Sequence, residues 1–190
     1  MIWGEIPEVV RSVFADNDVW WKKGQQSTMQ QFLSQYTLHD SDWQSLDFEH
    51  GGVLYAVVLF DILYHVDSNK LDWPDDVNSP YLCIRFGSVH QLLSDHSQKS
   101  LHGYVVNFAS TRKLTDEQRS EWIDLLLNLS IFSDDIADFL LSDSIHITTF
   151  EGAAGNHIHV VHNEPTMFLC VNHDGSVLHL PDLKISEASS

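Results

Sequence analysis

The 25 residues from Thr37 to Asp61, TLHDSDWQSLDFEHGGVLYAVVLFD, decide the fold class. Between Trp43 and Glu49, Leu46 and Phe48 fall on one face of an extended chain, and Asp47 and Glu49 fall on the other. His50-Gly51-Gly52 then interrupts the run, and the longest apolar stretch of the chain follows, Val53 to Phe60. Two extended runs joined by a Gly-Gly turn predict a β-hairpin whose second strand is buried.

The pattern repeats on both sides. PYLCIRFGSVHQLL (80–93) offers one or two strands broken at Gly87, and GYVVNFAS (103–110) offers another. IHITTF (145–150), NHIHVVH (156–162), TMFLCVNH (166–173) and SVLHLP (176–181) follow, with Asp174-Gly175 as a hairpin turn between the last two. Strands joined by tight turns make a largely antiparallel sheet. Helical signals stand outside it. Residues 1–36 read as a helical segment, with Pro7 starting a helix through Phe14 and Ser27 capping STMQQFLSQY. A helical pair is expected near 115–141. Thr115 and Gln118 form a capping box before Trp122, Leu125, Leu126 and Leu129, and Ser133 caps a second helix facing inward through Ile136, Phe139 and Leu140. The expected class is α+β, in one domain over 1–190. Its parts are a helical segment (1–36), a first β region (37–110), the helices (115–141) and a C-terminal β region (144–182).

Charge narrows the function. There are 27 Asp and Glu against 10 Lys and Arg, for a net charge of −17. The first 95 residues hold 14 acids and 5 bases and the remainder 13 and 5, so the acidity pervades the fold and does not form a tail. Such a surface repels nucleic acid and anionic membranes and steers toward a basic partner. With 43% hydrophobic residues the chain is too apolar for acidic disorder. The start, MIWGEIPEVVRSVF, lacks a basic and then apolar leader pattern, and no apolar run approaches membrane length. A cytoplasmic location is expected. Cys83 and Cys170 lie inside apolar runs and are expected as reduced core residues.

GNHIHVVH is the densest cluster of ligating side chains. His157 and His159, two apart, share one face of a strand, while His162 faces away unless the chain bends after Val161. His157, His159, His162 and Glu164 are therefore the candidate ligands of a small metal-dependent enzyme. The spacing His-x-His-x4-Glu resembles the first metal motif of cupins. It then departs: Val171 stands where that family has glycine, and the last 26 residues hold no second motif. His146, His173 and His179 are further ligand candidates, dependent on strand register. The chain lacks the nucleophile elbow, the P-loop, the dinucleotide glycine pattern, His-Glu-x-x-His and Cys-x-x-Cys. The pairs Asp40/Asp42, Asp75/Asp76 and Asp134/Asp135 fall in expected caps and loops, where aspartate is usually solvated. Trp20-Trp21 beside Lys22-Lys23 are either core anchors or part of a partner surface.

Leu38-His39-Asp40-Ser41, followed by a short strand, a turn and a more apolar strand, resembles a segment of small bacterial immunity proteins of polymorphic toxin systems. Pro80-Tyr81-Leu82-Cys83-Ile84 fits the later Pro-plus-strand part of the same pattern; together they cover about 50 residues. Asp40 and Ser41 are suited to bond nearby amides and His39 to brace the turn, so the motif is structural before it is functional. The resemblance implies a non-enzymatic protein that needs no cofactor and neutralises a cognate toxin, a basic one by the charge argument. The acidic loops 67–76 and 133–143 are then the candidate contact surfaces: Asp72, Trp73, Asp75 and Asp76 in the first, Asp134, Asp135 and Asp138 in the second, with Trp73 as aromatic anchor.

Overall fold

The computed structural model describes residues 2–49, 52–61, 73, 77, 79–94, 105–121, 145–152, 155–181 and 183. Its frame is the hairpin of β3 (Ser41–Glu49) and β4 (Val53–Leu59), antiparallel from Asp42 opposite Leu59 to Glu49 opposite Val53, with one bulge between Trp43 and Ser45. Gly52 supplies the positive φ of the turn, +74°. The other strands are β1 (Ile2–Gly4), β2 (Gln25–Ser27), β5 (Tyr81–Phe86), β6 (Val89–Ser94), β7 (Val105–Lys113), β8 (Ile145–Gly152), β9 (His157–Asn163), β10 (Thr166–Val171) and β11 (Val177–Leu178). The Asp174-Gly175 turn joins β10 to β11, with Gly175 at φ +85° and Asn172 N–H donating to Ser176 O.

Among the described residues every strand pairing is antiparallel, in one sheet of order β11-β10-β5-β4-β3-β7-β8-β9-β6. β5 and β6 are third and ninth in that order, yet only Gly87 and Ser88 connect them. Three Cα steps reach about 11 Å, whereas six interstrand spacings in a flat sheet cover about 29 Å. The sheet must therefore curl until β6 returns beside β5. Contacts across the curl agree: Val89 N–H donates to Gly52 O at 2.6 Å, and Phe150 of β8 meets Trp43 of β3 at 5.1 Å and Phe86 of β5 at 6.4 Å between ring centroids.

The N-terminal segment differs from expectation. It holds three short helices, α1 (Glu8–Phe14), α2 (Val19–Lys23) and α3 (Met29–Gln35), interleaved with two strands. β1 pairs with β3 from Ile2 opposite Asp47, and β2 pairs with β10 from Ser27 opposite Thr166. Three-residue strands carry no period that a sequence can display; they form here because β3 and β10 offer edges that need partners. Ser27 belongs to β2, so the cap of α3 is Thr28. Its hydroxyl accepts from Gln31 N–H at 3.0 Å, and Gln31 Oε1 accepts from Thr28 N–H at 3.1 Å.

Burial explains which strands read as unbroken apolar runs. The inner side chains of β4, β5 and β10 (Leu54, Ala56, Val58, Leu82, Ile84, Phe86, Phe168, Cys170) line the main core. Their outer side chains (Val57, Cys83, Leu169, Val171) pack under Val10 of α1 and Val19 and Trp20 of α2. These strands are buried on both faces, each large side chain contributing about 1.5–3 kcal/mol. α3 fills the curl from within, Phe32 stacking on Phe168 at 4.5 Å. β8 and β9 bury one face in the main core through Phe150, Ile158 and Val160, while their other face is buried in part, Ile145 and Val161 packing with Leu114.

The Thr115/Gln118 box is present, with Gln118 N–H donating to Thr115 Oγ1 at 3.2 Å and helical backbone over 116–121. The remainder of the expected helical pair, from Trp122 through 141, lies outside the described residues. Among the described residues no helix is long and apolar enough to cross a membrane.

Candidate functional site

The chemistry-bearing residues concentrate on β6, β8 and β9. Their register sets Glu151 opposite His157, Thr149 opposite His159, Thr148 opposite Val160, and His146 opposite His162. On the outer face His157 and His159 stack, with ring centroids 5.7 Å apart and planes within 4°. Thr149 Oγ1 lies 2.9 Å from His159 Nδ1. At the two sides of this pair stand Phe108, opposite Glu151 and 58% exposed, and Leu93, opposite His159 and 45% exposed.

His162 takes the opposite face and is fully buried. Its Nδ1 lies 3.0 Å from the carbonyl of Asn163, which only accepts, so Nδ1 carries the proton. Nε2 is then an acceptor for the Thr148 hydroxyl at 2.8 Å, and Thr148 Oγ1 lies 3.1 Å from Thr111 Oγ1. The ring packs in a T-shaped arrangement with Phe86, the ring centroids 4.7 Å apart. Burial pushes the His162 pKa down to about 4, the Asn163 carbonyl partly offsets this, and His146 and His90 add repulsion. His90 is also lowered, by burial first; its Nε2 donates to Asn163 Oδ1 at 3.2 Å.

Glu164 follows β9 at a cis bond to Pro165. Its Oε1 accepts from Met29 N–H at the start of α3, 2.8 Å away, and its Oε2 accepts from the Thr166 hydroxyl at 2.9 Å. Burial raises its pKa, and the two hydrogen bonds work against that rise. The four candidate ligands are thus not one constellation. His157 and His159 lie together on the outer face, His162 is committed inward through both nitrogens, and Glu164 holds a helix start. Among the described residues no group of three or more His, Cys, Asp or Glu is arranged to hold a metal ion.

The Leu-His-Asp-Ser segment forms the entry into β3. Asp40 sits at φ +61°, which Asp tolerates better than most residues, and its N–H donates to Val106 O at 2.8 Å. His39 Nδ1 and Asp40 Oδ1 are 3.2 Å apart, and Ser41 Oγ accepts from Asp61 N–H at 3.2 Å. The Asp40 amide thus binds the turn to β7 and Ser41 binds it to Asp61 just past β4, while His39 and Asp40 pair with each other.

Of the proposed contact residues, Trp73 is half-buried against the main core, and its Nε1–H donates to His179 O at 2.6 Å. Asp72, Asp75, Asp76, Asp134, Asp135 and Asp138 lie outside the described residues. The Trp20-Trp21 pair divides. Trp20 is core, whereas Trp21 is 69% exposed, its ring 5.2 Å from the Arg85 guanidinium. Arg85 is opposite Tyr55, whose pKa is raised by burial first and lowered in part by Arg85. Sequence reasoning missed Arg85, Leu93 and Phe108 as surface residues. For Phe108 the cause is a bulge between Val106 and Phe108, which turns the phenyl ring outward against strict alternation.

No protein-family model matches this chain, and no curated protein or solved structure matches it.

Proposed function

We propose that this chain is a non-enzymatic binding protein that neutralises a cognate, basic toxin, as the immunity proteins it resembles do. The observation that carries the reading is Trp21. A strongly acidic molecule presents a largely exposed indole held against an arginine, with a tyrosine in register beside it. Trp, Tyr and Arg are the side chains that dominate protein–protein binding energy when a partner covers them. The net charge of −17 adds long-range steering toward a basic partner. The acidic loops 67–76 and 133–143 are proposed as further contact segments on their charge alone. In this reading the chain is a single α+β domain that works in the cytoplasm without a cofactor and binds neither nucleic acid nor membrane.

Co-expression with the product of the gene immediately upstream tests it. The expected result is a stoichiometric complex whose association slows as salt rises from about 0.05 M to about 0.5 M. Two results overturn it: no complex, or a stoichiometric metal ion in the purified protein that is lost in a His157→Ala/His159→Ala variant.

A further inference from the structure

The acidity of the chain is not spread evenly over the sheet. β6, β7, β8 and β9 together hold one carboxylate, Glu151, whereas β3 alone holds Asp42, Asp47 and Glu49. The outer face of the four acid-poor strands is laid out in register rows. One row runs Phe108, Glu151, His157, and the next runs Ser110, Thr149, His159, Leu93. From the first strand to the fourth is about 14 Å. Four large apolar side chains are exposed among the described residues, and two of them, Phe108 and Leu93, stand at the two sides of this face. Further along the strands the face is closed, with Ile145 and Val161 buried against Leu114. Little charge at the centre and exposed aromatic area are features of an interface core more than of solvated surface.

We propose that two copies of the chain pair through this face, about a two-fold axis that runs along the strands between β8 and β9. A basic partner finds little to hold here, because charge complementarity needs carboxylates and the four strands have one. For a second copy the same scarcity is an advantage. Two bodies of net charge −17 repel each other, and they approach most easily where neither presents acid. The register also makes the face self-complementary, as an isologous contact requires. The axis exchanges β8 with β9 and β7 with β6. Glu151 of each copy then meets His157 of the other, so each carboxylate faces an imidazole and not a second carboxylate, and Thr149 meets His159. Phe108 of each copy falls on the β6 side of the other, one row of about 7 Å from its Leu93. Two exposed rows across four strands fall short of the roughly 800 Å² per partner of a standard interface. The pairing is therefore weak, with a Kd on the order of 0.1 mM, and the chain is a monomer at low micromolar concentration. The Trp21–Arg85 contact, on the β4-β5-β10 half, stays clear of the pair.

Sedimentation of the intact chain from about 10 μM to about 1 mM tests this. The expected result is a monomer passing into a dimer and no larger species, because an isologous contact closes. The dimer is expected to tighten about tenfold as salt rises from about 0.05 M to about 0.5 M, since screening removes the repulsion between two acidic bodies. That is the opposite of the salt dependence expected of the toxin complex. Phe108→Asp and Leu93→Asp each set a carboxylate on the face and are expected to weaken the dimer at least about tenfold, while Trp21→Ala leaves it unchanged. A chain still monomeric at about 1 mM in about 0.5 M salt overturns the proposal. So does a dimer that survives both Asp variants, or one that Trp21→Ala removes. Should the Asp variants not fold, dilution of the ¹⁵N-labelled native chain decides. Amide shifts of Phe108, Thr149, His159 and Leu93 are expected to move with concentration while those of Trp21 and Arg85 hold. No movement, or movement confined to Trp21 and Arg85, is the contrary result.

Discussion

The side chain of Gln25 and the backbone of Leu180 are joined by two hydrogen bonds: Gln25 Nε2 donates to Leu180 O at 2.8 Å, and Leu180 N–H donates to Gln25 Oε1 at 2.7 Å. One amide side chain thus stands in for a strand and ties the C-terminal segment to β2. Leu178, Leu180 and Leu183 complete the main core beside Trp73.

Gln25→Ala removes both bonds and leaves two backbone groups of a buried residue without a partner. The expected loss is about 2 kcal/mol of unfolding free energy, measured by urea denaturation. Gln25→Glu keeps an acceptor but sets a carboxylate against the Leu180 carbonyl, so it should be at least as damaging at neutral pH. A loss under about 0.5 kcal/mol in both variants would show that the tie contributes nothing.

Phe150 and Phe108 lie one bulge apart in register terms yet face opposite ways. Phe150→Ala opens a cavity between Trp43 and Phe86, where two parts of the curled sheet meet, at an expected cost of about 3–5 kcal/mol. Phe108→Ala should change stability by under about 0.5 kcal/mol. Thermal melts of the two variants check the contrast, and similar shifts would contradict the outward placement of Phe108.

Trp21→Ala separates folding from binding. The fold loses only an exposed cation–π contact, about 0.5–1 kcal/mol. The proposed complex loses an anchor, at least about 2 kcal/mol or roughly thirtyfold in Kd. Unchanged affinity with the toxin would move the interface elsewhere.

Global stability should depend on pH through His162. Its pKa is lowered on folding, so the unfolded chain binds the extra proton. Stability is therefore complete above the ordinary imidazole value and falls as pH drops toward about 4, by about 3 kcal/mol in all. Equilibrium unfolding at successive pH values measures the slope, which His162→Gln should flatten over this window.

Both cysteines are free and buried, and burial raises both thiol pKa values. A thiol reagent at mildly alkaline pH should label neither residue in the native protein and both in denaturant, with native rates at least about a hundredfold slower. Rapid native labelling of Cys170 would contradict the double burial of β10.

The β3–β4 hairpin, the Asp174-Gly175 turn and the opposed faces of His157 and His162 were legible because each rests on local chemistry: a turn residue or a period of two. The curl was not legible. It follows from which strands pair, and Gly87-Ser88 reads as a hairpin turn whether β5 and β6 pair with each other or part to opposite ends of the sheet. β1 and β2 were too short to show a pattern, and the pairing of Ser27 with Thr166 is what moves the cap of α3 from the expected Ser27 to Thr28. At the candidate site, the sequence showed the histidines but not that a bulge would expose Phe108, nor that Trp21 would lie over a residue 64 positions away.

The pairing of β2 with β10 sets a schedule for biosynthesis. Gln25, Gln26 and Ser27 leave the ribosome long before their partners at 166–168. Until then α1 and α2 have no Leu169 or Val171 to cover, and β5 lacks its neighbour on one side. Contacts this distant in sequence close late and all together. A chain synthesised only as far as β9 therefore lacks the finished β5-β10 layer, and a surface built on that layer forms only after β10 has emerged.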